Sequence, residues 1–236
     1  MSTMTTQPGR PVADCPPAAV RVTKSLLGYG VLAGPFYVAA SLAEALTRSG
    51  FSLAHDDWSL LADGSRGWIH VLVLVLTGLM TGAAAVGVVR QRRAERVNAA
   101  SGWFLGVYAA GLVGAGFFVA DPAQGFPVGT PPGPTVAPSW HGSLHIAFGG
   151  VGFLGLIAAC LVLAWQFRRR RQLGWAFFAL ITGVLFFAAF AGIATGGAST
   201  SAAVLTFTAA VILAWTWLAL VSVHLYRRAA TPAERA

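Results

Sequence analysis

The chain has 236 residues, of which 56% are hydrophobic and 10% charged, with a formal net charge of +8 and a mean hydropathy of +0.68. Soluble domains carry about 25% charged residues, so a protein solvated on all sides is excluded. Cys15 lies in a polar stretch and Cys160 in an apolar run, which excludes a cysteine framework or a zinc knuckle.

Residues 1–20, rich in Pro, Thr and Ala, read as a disordered tail. A membrane domain is expected over 21–228, with a short tail at 229–236. A helix crossing the hydrocarbon core needs about 20 mostly apolar residues. Six runs meet that length, at about 25–46, 68–89, 102–120, 142–167, 173–195 and 202–225. Backbone polar groups in lipid must be satisfied within the segment, and runs this long do so as helices. The expected fold is all-α, a bundle of six transmembrane helices. The first run follows a 24-residue stretch and exceeds a usual signal core, so it reads as a retained span. Gly30-x-x-x-Gly34 and Gly78-x-x-x-Gly82 mark faces where helices approach closely, and Pro35 is expected to kink the first helix.

Basic residues set the expected orientation. Arg10, Arg21 and Lys24 precede span one; Arg90, Arg92, Arg93 and Arg96 join spans two and three. Arg168 to Arg171 join spans four and five, and Arg227, Arg228 and Arg235 follow span six. All lie on one side of a six-span chain, leaving only Arg48 and Arg66 on the other. The positive-inside rule makes the arginine-rich side cytoplasmic, with both termini there, in the plasma (inner) membrane. The basic charge therefore calls for no nucleic-acid partner. The expected partners are membrane lipids, with anionic headgroups at the arginine clusters. A membrane-protein partner or a homo-oligomer is the further expectation, from the glycine-rich helix faces.

The opposite, outer face collects the chemistry. Glu44 lies near the end of span one, Ser59 and Asp63 in the connection after it, and His70 early in span two. Asp121 closes span three, Trp140, His141 and His145 open span four, and Thr195 leaves span five. Ionisable groups in spans are expensive and are functional candidates by default. His141 and His145 are one turn apart on a helix face. That spacing can hold a divalent metal with His70, and Asp121 would serve as ligand or general base. It can equally build a proton-accepting pocket, or a plain interfacial network anchored by Trp68 and Trp140. Haem between His70 and His145 is the less favoured alternative, since no second histidine pair supports it.

Between spans three and four, Pro122, Pro127, Pro131, Pro132, Pro134 and Pro138 stiffen a segment in which Gly125, Gly129 and Gly133 permit tight turns. It reads as a lid over the outer mouth, with Phe126 and Val128 as apolar anchors; a disordered connector is the alternative.

The stretches "TRSGFSLAHDDWSLLADGSRGWIH", "FVADPAQGFPVGTPPGP", "SWHGSLHIAFGGVGFLGLIAACLVLA" and "GWAFFALITGVLFFAAFAGIA" resemble the bacterial membrane family catalogued as domain of unknown function 998, and within it an actinobacterial branch. The resemblance covers about residues 25–225 and implies a multi-pass membrane protein without an assigned reaction or cofactor. Its recurring polar positions would fall here on Asp121, Trp140, His141 and His145, and on Ser59, Leu60, Gly67 and Trp68.

Three functions compete at this level. One is an outer-face Asp/His pocket for a lipid, small amphiphile or metal, in the manner of a metal-assisted hydrolase. Another is a non-catalytic membrane subunit or assembly factor. A proton-coupled transporter is the third, disfavoured by the near absence of ionisable groups in the central turns of spans two to six.

Overall fold

The computed structural model describes residues 17–95, 98–135, 137–195 and 200–229. Expectations about residues 1–16 and 230–236, and about Arg96, lie outside the described residues. Six helices are long and apolar enough to cross a membrane. They are α1 (Ala18–Thr47), α2 (Gly67–Ala94), α3 (Ala100–Phe117), α4 (Trp140–Arg169), α5 (Leu173–Ala194) and α6 (Ser201–Arg228). A short 3-10 helix, Trp58–Ala62, sits between α1 and α2. Strands are absent from the described residues.

The helix ends differ from the apolar runs in two informative places. α1 begins at Ala18, inside the stretch expected to be tail, because Pro17 suits a helix N-terminus and Arg21, Thr23 and Lys24 carry the helix on in polar surroundings. Its 30 residues span about 45 Å at ~1.5 Å per residue, enough for hydrocarbon and headgroups together. α1 also runs unbroken through Pro35. α3 stops at Phe117, earlier than expected, where Phe118 turns extended ahead of Pro122. The residue before a proline avoids helical geometry, so Asp121 cannot carry the helix on to Pro122.

Each helix packs on its sequence neighbours, and α6 returns to α1, closing a ring in chain order. The middle is filled by aromatic rings from five helices. Trp215 lies 4.9 Å from Tyr37 and 5.6 Å from Tyr108, centroid to centroid. Phe153 meets Phe186 at 5.1 Å and Phe207 at 5.7 Å. Leu32, Leu46, Leu79, Phe177 and Phe187 remain exposed on the outside, as lipid-facing residues should.

Apolar burial does not hold helices together in lipid, so close backbone approach matters more. At Gly34 an added Cβ would stand 2.7 Å from the Trp215 carbonyl oxygen, so only glycine lets α1 meet α6 there. Gly30 abuts Ser222 of α6, and Gly78 abuts Val113 and Ala109 of α3. Gly82 is looser, with only the Ala109 Cβ at 3.7 Å. Of the two expected glycine pairs, the first is tight throughout and the second at one end.

Candidate functional site

The end of the ring away from the chain termini carries the polar residues. Glu44 lies in the last turn of α1 and is buried. Arg48 follows one turn later at the helix end, with its side chain only 9% exposed. The chain then crosses to the 3-10 helix, passes the buried Asp63 and enters α2, where His70 is fully buried. Tyr37 lies with its ring centroid 6.1 Å from that of His70 and 5.8 Å from that of Trp58, so the two aromatic rings stand together on one side of the site.

Nδ1 of His70 donates to Oε1 of Glu44 at 3.1 Å. With Nδ1 donating to the carboxylate, Nε2 is a lone-pair acceptor in the neutral ring and an N–H donor in the imidazolium. That atom is buried and has no hydrogen-bond partner among the described residues. The same holds for Oε2 of Glu44 and Oδ2 of Asp63. Oε2 of Glu44 does lie 3.7 Å from the Arg48 guanidinium, an ion-pair distance. Three buried polar atoms at this end, Nε2 of His70, Oε2 of Glu44 and Oδ2 of Asp63, thus lack a hydrogen-bond partner among the described residues. A buried polar group left unpaired costs about 1–3 kcal/mol.

Arg48 ties the cluster together. Its guanidinium donates to the carbonyls of Leu61, at 3.1 Å, and Asp63. The same group stands 5.2 Å from the centre of the Phe126 ring. Phe126 comes from the proline-rich segment and is 1% exposed, with its edge against Phe51 at 5.3 Å. The segment is held by its own bonds, Gln124 N–H to the Gly133 carbonyl at 2.8 Å and the Thr135 hydroxyl to the Pro122 carbonyl at 3.1 Å. It therefore lies folded across the α1–α2 connection. Of its two expected anchors, Phe126 is buried; Val128 is 76% exposed and only brushes Gly50.

Three carboxyl groups outside the spans are pushed towards neutrality, Asp56 among them by burial. Burial raises Asp63 to about 7; the Asp121 charge adds to the rise and Arg48 opposes it. Burial raises Asp57 to about 6, helped by neighbouring Asp56. Charge on a desolvated carboxylate is costly, and a like charge nearby makes it costlier.

The remaining expected residues make their hydrogen bonds elsewhere, although Asp121 lies within electrostatic reach of Asp63 and His145, and His145 within that of His70. Asp121 accepts from the Ser139 backbone N–H at 2.7 Å, and a Cβ at Gly142 would run into its carboxylate. It lies at the start of α4, where Ser139 also caps the helix by accepting from Gly142 N–H, and where a negative charge is favoured. His145 directs Nδ1 to the carbonyls of Ala115 and Phe118, at 3.0 and 2.9 Å. Both partners are acceptors, so Nδ1 carries the proton and satisfies the end of α3. His141 is exposed, packed on Trp140 with ring centroids 3.5 Å apart, and Trp140 itself is 65% exposed. The two histidines, one turn apart, make different contacts, His141 with Trp140 and His145 with the end of α3. Among the described residues no three His, Cys, Asp or Glu side chains are grouped as a metal centre requires. Ser59 is half-buried on the 3-10 helix. Thr195 is exposed, its hydroxyl returned to the Ala191 carbonyl at 2.8 Å.

Sequence reasoning missed Arg48 as a site residue, although its spacing of four from Glu44 on an acid-rich face was a usable signal. Two apolar grooves lie between helices, and neither is lined by Glu44, Asp63 or His70. One, of about 860 Å³, lies between α2, α3 and α4 beside Gly78, Gly106 and Phe148. The other, of about 580 Å³, lies between α5 and α6.

Compared with known proteins, residues 31–224 match the family model described as "Protein of unknown function (DUF998)". No curated protein and no solved structure matches the chain.

Proposed function

We propose that this chain, which belongs to the DUF998 family of proteins of unknown function, binds a small amphiphile at its histidine-bearing end. The polar head would be taken by Glu44, Asp63 and His70 beneath the proline-rich segment. The observation that carries this reading is the Glu44–His70 pair, with Nδ1 fixed by the carboxylate and Nε2 buried and unpartnered among the described residues.

The chemistry of the free atoms selects the ligand. With the His70 ring neutral and the carboxyl groups ionised, His70 Nε2, Glu44 Oε2 and Asp63 Oδ2 all accept, which favours a head that donates hydrogen bonds, as a hydroxyl or an ammonium group does. A phosphate-only head would face three acceptors and is disfavoured. An ammonium near Asp63 would also favour its ionised form. Asp121 and His145 support the α3–α4 rim next to the cluster, and His141 and Trp140 stand at headgroup level. A hydrolytic role would use His70 Nε2 as the proton acceptor, with Glu44 orienting it. The positive-inside rule supports an inner-membrane protein with cytoplasmic termini, which places this end at the outer leaflet.

Native mass spectrometry of protein released with its lipids tests the reading. Wild type and His141→Ala should retain the same bound amphiphile, and His70→Ala should lose it. Equal retention by all three would defeat the proposal. Elemental analysis of the same samples addresses a metal at His70, His141 and His145: a stoichiometric metal lost in His145→Ala would favour the metal-assisted reading instead.

A further inference from the structure

At the opposite end of the ring, the arginines are not equivalent. Arg169 lies over the Trp165 ring at 4.8 Å, and Arg93 lies over Trp103 at 5.9 Å. Both tryptophans are more than half exposed, so these two cations rest on lipid-facing aromatics. Arg92 and Arg170 instead turn to Glu95, whose Oε2 accepts from them at 3.1 and 2.7 Å. Arg171 has a left-handed backbone (φ 55°) that reverses the chain after α4. Gln172, just beyond it, receives a hydrogen bond from His224 Nε2 of α6 at 3.0 Å. Arg228, at the exposed end of α6, lies within electrostatic reach of both Arg92 and His224.

Two guanidinium groups, from the ends of α2 and α4, therefore share one carboxylate, and a third, Arg228 at the end of α6, adds positive charge within electrostatic reach of Arg92. Glu95 is fully engaged, since its Oε1 accepts from Gln91 at 2.9 Å. Arg92 is 1% exposed, yet its Nε and Nη2 have no acceptor among the described residues. Its face is covered by the Phe167 ring, 5.7 Å away. A buried guanidinium with two unpaired donors and surplus positive charge beside it calls for an anion with several acceptor oxygens.

We infer that the notch between the ends of α2, α4 and α6 binds a phosphate group, through Arg92, Arg170 and Arg228. Two sources share this chemistry: the headgroup phosphate of an anionic lipid, and a free phosphate in solution. Arg170 and Arg228 are the reachable cations and Arg92 the buried one, so the phosphate enters past the first two and relieves the third. This site is independent of the Glu44–His70 cluster and selects the opposite ligand chemistry, donors here against acceptors there.

The test uses the full chain. In detergent, inorganic phosphate is titrated against thermal unfolding. In nanodiscs of phosphatidylcholine with or without phosphatidylglycerol, retained lipid is read by native mass spectrometry. A phosphate-dependent rise in midpoint identifies the soluble source, and selective retention of phosphatidylglycerol the lipid source. In either case Arg170→Gln and Arg228→Gln should weaken binding about tenfold or more, the loss expected for one charge-assisted contact. Arg169→Gln should leave it unchanged. If Arg170→Gln fails to fold after losing its bond to Glu95, the comparison of Arg228→Gln with Arg169→Gln decides. Equal weakening by Arg169→Gln, or no binding of either probe, would overturn the inference.

Discussion

Replacing Arg48 by alanine should loosen the whole histidine-bearing end. The side chain is 9% exposed and donates to the carbonyls of Leu61 and Asp63. Hydrogen bonds from a charged group contribute about 1.5–3 kcal/mol each. The contact with Phe126 adds about 0.5–2 kcal/mol. These contributions overlap, because one group makes all of them, and the variant also leaves Glu44 without its nearest cation. Breaking a buried charge interaction by removing one partner typically costs about 3–5 kcal/mol. On the usual size scaling, a loss of about 3 kcal/mol lowers the thermal midpoint by about 6–12 °C. Thermal unfolding in a single detergent measures it, and hydrogen exchange of residues 122–135 locates it. Arg48→Lys should recover part of the midpoint, since one ammonium cannot bridge both carbonyls as a planar fork does. A midpoint within 1–2 °C of wild type, with unchanged exchange in the proline-rich segment, would refute the clamp assigned to Arg48; that bound is about 0.5 kcal/mol.

Acidity offers a second handle. Asp63 titrates at about 7 in the folded chain, against an ordinary value of about 4. The folded state therefore binds more protons than the unfolded state between those values, and stability falls as pH rises across that window. Asp57, at about 6, acts in the same direction over a narrower range. Asp63→Asn should flatten the fall measured by thermal unfolding from pH 4 to pH 7; an unchanged slope would contradict the burial argument. In the bundle, Gly34→Ala should cost about 1–3 kcal/mol, because the new Cβ meets the backbone of α6. Gly28→Ala, with nothing near its added Cβ, should be neutral or stabilising by up to about 1 kcal/mol. Unfolding midpoints of the two variants should separate; similar midpoints would show that the α1–α6 contact is not tight. Phe126→Ala should speed hydrogen exchange in the proline-rich segment while leaving α5 and α6 unchanged, and uniform protection would argue against a plug.

The fold was legible because span length and apolar composition report directly on the bilayer. Of the ends that shifted, the start of α1 moved to Ala18, directly after Pro17, while the end of α3 moved to Phe117, five residues ahead of Pro122. The site was legible only in part. The sequence placed Glu44, Asp63, His70 and Asp121 at one end, which is a statement about height along the bundle. Pairing depends on rotation about each helix axis and on which helices are neighbours. Glu44 and His70 meet because α1 packs on α2 with those faces inward, and no spacing within either helix encodes that. His141 and His145 show the converse. Four residues apart is nearly one turn, yet the first stands on the exposed rim with Trp140 and the second turns to the end of α3. The arginine clusters were read as a uniform charge signal. Their division into lipid-facing and inward-facing members arises from the tight reversal at Arg171 and from the position of Glu95.

The central claim is that the buried acceptors at Glu44, Asp63 and His70 hold the polar head of an amphiphile. An experimental density map of protein extracted with its native lipids, resolved at this cluster, tests it most directly. Non-protein density within hydrogen-bonding distance of His70 Nε2 and Asp63 Oδ2, beneath Phe126, is the predicted result. Protein groups closing on those atoms, with no such density, would contradict it.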